Sequence, residues 1–307
     1  MKATTAFFII LEAALALAQC EAPVPCTDAT LLALEESDCQ KHHIFVARGS
    51  DSGYPGHNGV LIRTICERLK DCGYENIVYP ANSTAAGPDM WCKSAAIGAR
   101  HAQEQLTSYS TRCPDSKLIV LGFSQGGSVA LDALGGGGGT VFQCVQENNP
   151  ALDRTKTPGS KIAAAVVFGA VVRTAGQPYT AVGTDRFKGG EDYNGTSPRS
   201  DAHLTGLNQY SDILRDYCNF GDPICAKGST PEDVDQHLNY FELYTEEAAE
   251  WVIETVQRPL GLSSNVKSEA TTSGAPKDTV SRAGKKLESF YGTVAVAVGI
   301  SALSFCV

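Results

Sequence analysis

The sequence predicts an α/β fold, a single domain built on a central parallel sheet with helices on both faces. Three observations carry this. Short apolar runs alternate with amphipathic stretches from about residue 20 to residue 259. Several of those runs are apolar throughout rather than at every second residue, the pattern of strands covered on both faces. No repeat of solenoid length interrupts the alternation.

Taken in order, Ile44-Phe45-Val46-Ala47 reads as the first strand. Residues 59–69 form a helix with apolar positions Val60, Leu61, Ile65 and Leu69. Ile77-Val78-Tyr79 reads as a second strand, stopped by Pro80. A long helix covers 94–109, the strand Leu118-Ile119-Val120-Leu121 follows, and another helix starts after Ser124. The glycine run 135–139 ends that helix. Residues 162–168 are continuously apolar and predict a buried strand, and 208–217 a further element. A last helix spans 240–256, with Leu243, Ala248, Trp251, Val252 and Val256 near its core face.

Both ends of the 307-residue chain carry processing patterns rather than core. Lys2 precedes an apolar stretch ending in Ala16-Leu17-Ala18, so residues 1–18 read as a signal peptide and 19–260 as the folded domain. Residues 261–289 are a polar linker rich in Ser and Thr, and 290–307 an apolar, uncharged tail. Such a tail just spans a bilayer, but no basic residue follows it, so exchange for a GPI anchor explains it better than a tail-anchored helix.

Of the 11 cysteines only Cys306 lies in that tail. The even number left in the domain predicts five bridges in an oxidising compartment, and the absence of any CxxC pair argues against a metal site. Sequons at Asn82 and Asn194 fit the same secretory route. The net charge of −9, with no basic stripe, excludes nucleic acid as a partner. A secreted monomer, possessing neither metal nor organic cofactor, is the expectation.

Gly122-Phe123-Ser124-Gln125-Gly126 sits where a strand hands over to a helix, the context of a nucleophile elbow. A serine hydroxyl needs an imidazole to take its proton and a carboxylate to orient that ring. In this architecture the order is Ser, Asp, His, and Asp222 and His237 supply it. Asp212 and Asp216 are alternative acids. His42, His43 and His57 precede Ser124, and His203 precedes Asp222, so all four break the order. Cys218 and Cys225 bracket Asp222, and a bridge between them would cinch its loop. For a developing oxyanion, the Gln125 amide is one donor, and Ser50, in the loop after the first strand, is the choice for the other.

Ala47-Arg48-Gly49-Ser50, Gly122-Phe123-Ser124-Gln125-Gly126-Gly127, Gly221-Asp222-Pro223 between cysteines, and His237-Leu238-Asn239-Tyr240 together resemble the cutinase and acetylxylan esterase family. The resemblance runs from about residue 39 to residue 256. It implies a cutinase-like α/β-hydrolase fold, a triad of Ser124, Asp222 and His237, oxyanion donors at Ser50 and Gln125, and a Cys39–Cys113 bridge. It further implies a carboxylic ester hydrolase. The segment 168–176 and the cysteine count are closer to acetylxylan esterases, whereas His237-Leu238 is closer to cutinases, where an apolar neighbour of the histidine meets a lipid-like chain. Deacetylation of plant cell-wall polysaccharide is the favoured activity. Hydrolysis of cutin or another aliphatic polyester is the alternative. A wall-tethered surface protein that no longer turns over is the rival of another class.

Overall fold

The computed structural model describes residues 29–35, 38–181 and 190–258. In chain order the elements are α1 (Ala29–Glu35), β1 (His42–Ala47), α2 (Gly59–Arg68), β2 (Cys72–Asn76), α3 (Met90–Arg112), β3 (Lys117–Phe123) and α4 (Gln125–Gly135). They continue with β4 (Gly137–Val141), β5 (Cys144–Asn149), β6 (Ile162–Phe168), α5 (Asp201–Asn208), β7 (Leu214–Tyr217), α6 (Asp235–Leu238) and α7 (Tyr240–Gln257). Five strands form one parallel sheet in the order β2-β1-β3-β6-β7. The chain leaves β1 toward β2 on one side and returns to β3 on the other. Such a reversal opens a crevice at the carboxyl ends of β1 and β3, where ligands bind in open α/β sheets.

Period-two side-chain placement explains why the central strands are apolar at every position. Phe45, Ala47, Leu118 and Val120 point into a core shared with α3 and α4. Ile44, Val46, Ile119 and Leu121 point to the opposite face and pack with residues of α2 and α7. The helices α3 and α4 approach closely because α3 is lined with Ala95, Gly98, Ala99 and Ala102. A Cβ at Gly98 would stand 2.8 Å from Val129 Cγ2.

Several boundaries differ from expectation. The second strand is Cys72–Asn76, not 77–79. Its start is tied by the Cys66–Cys72 bridge, and after Ile77 the chain leaves the sheet, leaving Val78 exposed. The glycine run does end α4, with Gly136 at φ +83°, but Gly137–Val141 then forms a hairpin with β5. Glycine carries no side-chain alternation, so this strand left no periodic trace. The element expected over 208–217 resolves into the end of α5 and the short β7, and α1 was not anticipated. In α7 the buried face is Tyr240, Phe241, Tyr244, Ala248, Ala249, Val252 and Val256, which leaves Leu243 and Trp251 at its margin.

Among the described residues four disulfides join Cys39 to Cys113, Cys66 to Cys72, Cys92 to Cys144 and Cys218 to Cys225. The two remaining cysteines of the expected five bridges, Cys20 and Cys26, lie outside the described residues, as do the segments expected to be a signal peptide, linker and anchor signal. Among the described residues no helix is long and apolar enough to cross a membrane.

Candidate active site

Ser124 occupies the turn between β3 and α4 with φ 55° and ψ −119°. A non-glycine residue in that region stores about 1–3 kcal/mol of strain, which the surrounding packing must hold. The restraint is visible. The Ser124 amide donates to Phe168 O at 2.9 Å, and the two motif glycines permit contacts that no side chain would allow. A Cβ at Gly122 would lie 2.4 Å from Gly126 O, and one at Gly126 would lie 2.1 Å from Ala47 O. The start of α4 therefore seats directly on the end of β1, and the hydroxyl projects above the sheet.

Asp222 and His237 are 15 positions apart in the chain, yet Asp222 Oδ2 lies 2.8 Å from His237 Nδ1. On the far side of the ring, Nε2 lies 3.0 Å from Ser124 Oγ. With the proton on Nδ1 and hydrogen-bonded to the carboxylate, Nε2 is left to accept from the serine hydroxyl. Asp222 is fully buried. Its Oδ1 accepts from the Ile224 and Cys225 amides at 2.7 and 3.2 Å, and its Oδ2 accepts from the Tyr240 hydroxyl at 2.7 Å. Burial alone pushes this carboxyl up. The bonds from His237, Tyr240 and the Ile224 amide, with the imidazole's charge, outweigh burial and hold it below its ordinary value.

Asp222 is thus fixed by its own loop, which the Cys218–Cys225 bridge closes, and by the first residue of α7. Asn219 extends the network: its amide donates to the Tyr240 hydroxyl at 2.9 Å, its Nδ2 donates to Gln236 O at 2.8 Å, and its Oδ1 accepts from the Tyr244 hydroxyl at 2.7 Å. The imidazole lies over Gly169 and stands 5.1 Å, centroid to centroid, from the Phe123 ring.

Ser50 follows β1 in the loop that runs against Ser124. A Cβ at Gly49 would be 3.6 Å from Ser124 Cβ. Gln125 is the first residue of α4, whose leading amides have no intrahelical acceptor. Its side chain accepts from Ser94 Oγ at 3.0 Å and donates to Asn82 O at 2.9 Å. An anion formed at Ser124 would meet the amino end of a helix.

The remaining candidates lie elsewhere. Asp216 forms a buried ion pair with Arg173 Nε at 2.6 Å, and Asp212 is half-buried in the turn before β7. His43 stacks on Tyr109 at 3.8 Å and meets Glu75 at 3.3 Å, His42 meets Lys70 O at 3.3 Å, and His203 lies in α5. The His57 ring lies 5.0 Å from Phe123, on the aromatic layer under the site. Of the sequon residues, Asn82 is half-buried beside Gln125, and Asn194 is exposed, with Oδ1 accepting from the Ala175 amide at 2.9 Å. Among the described residues no group of three His, Cys, Asp or Glu side chains is placed to hold a metal ion.

Two contributors escaped the sequence reading. Tyr240 stood in the sequence only as the last residue of the His237 motif and the first of the last helix, and nothing local showed that its hydroxyl reaches Asp222. Gly169, just past β6, gave no local signal, because its role is to be absent from the space the imidazole fills.

A hydroxyl, an imidazole and a carboxylate in one hydrogen-bonded line at the carboxyl edge of a parallel sheet form the arrangement of an α/β-hydrolase. A family model described as Cutinase matches residues 38–256, and the chain belongs to that family. It is accordingly a carboxylic ester hydrolase. It is 28% identical over 223 residues to Cutinase 11 of Verticillium dahliae, covering 71% of this chain and 70% of that one. It is 27% identical to an acetylxylan esterase of Hypocrea jecorina, covering 70% of this chain and 67% of the relative. A solved acetyl xylan esterase superimposes over its whole length on 71% of this chain, with a TM-score of 0.60 and 25% identity.

Proposed function

We propose that the protein is a secreted serine esterase that removes short acyl groups, acetyl foremost, from plant cell-wall polysaccharide. One observation carries the reaction type: Ser124 Oγ, His237 and Asp222 joined at 3.0 and 2.8 Å. His237 Nε2 takes the hydroxyl proton as Oγ attacks the ester carbonyl, and the carbonyl pair moves onto oxygen. Ser50 and the Gln125 amide meet that oxyanion. On collapse, the carbon–oxygen bond to the sugar breaks and the imidazolium returns its proton to the leaving alkoxide. Water, deprotonated by the same ring, then releases acetate and restores Ser124.

The polysaccharide substrate is supported by the likeness to acetylxylan esterases in sequence and in fold. A second reading, hydrolysis of an aliphatic polyester, is supported by Val234 and Leu238, which flank His237 and are 56% and 48% exposed. Secretion is supported by the disulfides and by Asn194, exposed as a glycan acceptor must be. Tethering through a C-terminal GPI anchor and a monomeric state complete the proposal.

The test is turnover of nitrophenyl acetate, butyrate and octanoate beside release of acetate from acetylated xylan. The acetyl reading predicts the highest kcat/KM on acetate and measurable xylan deacetylation. A strong preference for chains of eight or more carbons overturns it in favour of the polyester reading.

A further inference from the structure

The loop that carries Ser50 is pinned by a cation that the reaction does not itself use. Arg48, at the end of β1, is 8% exposed. Its Nη1 donates to Ser52 O at 2.7 Å, and its Nη2 donates to Tyr79 O at 2.8 Å and Pro80 O at 3.3 Å. The guanidinium lies 4.2 Å from the centre of the Tyr54 ring and 5.4 Å from that of Tyr79. In return, the Tyr79 hydroxyl donates to Arg48 O. Every hydrogen bond of this side chain among the described residues ends on a main-chain carbonyl. A planar fork spans two such acceptors at once, and an ammonium on a flexible stem does not.

The same short segment, 79–83, holds the other candidate donor. The Asp51 amide donates to Ala81 O at 2.7 Å, and the Ser83 amide to Asp51 Oδ1 at 3.1 Å. Gln125 Nε2 donates to Asn82 O at 2.9 Å. The Tyr54 hydroxyl bridges the main chain of Tyr79, donating to its carbonyl and accepting from its amide, each at 3.2 Å. Ser50, in the loop after β1, and Gln125, at the head of α4, are therefore tied to one strap.

We propose that Arg48 is a positioning residue of the oxyanion hole: it rivets the Ser50 loop to segment 79–83, and so keeps Ser50 in register with the Gln125 amide before charge develops. The inference rests on the reading of Ser50 and Gln125 as oxyanion donors. Donors that need no reorganisation at the moment of reaction act on kcat rather than on ground-state binding.

The experiment is a double-variant cycle of Arg48→Lys and Ser50→Ala on nitrophenyl acetate, with thermal melting of each protein. Arg48→Lys keeps the charge and loses the fork. Because loss of one oxyanion donor typically costs about 100-fold or more, a misplaced donor predicts a fall in kcat of about tenfold, with KM changed by less than about threefold. If Arg48 acts through Ser50, the double variant turns over no more slowly than Ser50→Ala alone. Independent, multiplying effects overturn the proposal, as does a Ser50→Ala-sensitive enzyme in which Arg48→Lys leaves kcat unchanged. A Ser50→Ala protein with full kcat instead removes the Ser50 hydroxyl as donor and leaves only its main-chain amide, which alanine keeps; the proposal is then decided by Arg48→Lys alone, and an unchanged kcat there overturns it. Should Arg48→Lys not fold, Tyr54→Phe loosens the same strap and carries the same cycle.

Discussion

The Tyr240 hydroxyl donates to Asp222 Oδ2 at 2.7 Å, on the very oxygen that receives the His237 imidazole at 2.8 Å. The carboxylate is thereby held from two sides, and its pKa is depressed despite full burial. A depressed carboxyl contributes stability that is present above its unfolded value and is lost as pH falls through its native one.

Removing the hydroxyl in Tyr240→Phe takes one charge-assisted bond from Asp222, worth about 1.5–3 kcal/mol, and moves its native pKa up toward the unfolded value. Urea midpoints of wild type and variant should differ most at neutral pH, and the difference should shrink as pH falls through the depressed native pKa of Asp222. An offset that is the same at every pH would show that the tyrosine serves packing alone.

Gly169 has φ +57°, and a Cβ there would stand 2.8 Å from His237 Cε1 and 2.9 Å from Nδ1. Gly169→Ala should displace the ring and lower kcat by about 100-fold, the loss attending a misplacement of roughly 1 Å. Steady-state kinetics alongside a melting curve check this; retained turnover would mean that the ring tolerates the shift.

Asp216, one of the two alternative acids, is spent on Arg173, and both side chains are only 1% exposed. Breaking a buried pair from one side costs about 3–5 kcal/mol. Asp216→Asn should therefore lower the urea midpoint markedly while the folded fraction keeps near-normal kcat. A stable but inactive variant would return Asp216 to the list of acids.

Val234 and Leu238 stand four residues apart across His237, on one face of a helical turn and open to solvent. If they guide an acyl chain, Leu238→Ser should lower kcat/KM on octanoate several-fold more than on acetate, since each buried methylene contributes about 0.8 kcal/mol. Equal losses on both esters would remove the pair from the acyl path.

Much of this could be read in the chain because the informative features are local. The apolar runs of β3 and β6 mark strands buried on both faces, and the glycines of the Ser124 turn mark a close approach that geometry demands. The order of Ser124, Asp222 and His237 mattered because parallel-sheet connections fix which loops meet at the carboxyl edge. What stayed hidden is non-local. The β4–β5 hairpin is written in glycine, the value of Gly169 lies in a side chain it lacks, and Arg48 meets the Tyr79 and Pro80 carbonyls only when residues about thirty positions away fold over it.

The central claim is that Ser124 becomes covalently acylated. Treatment with a fluorophosphonate, followed by peptide mass spectrometry, tests it directly: the adduct should fall on the peptide containing Ser124, and Ser124→Ala should take none. An adduct on another residue, or undiminished labelling of Ser124→Ala, would contradict the account.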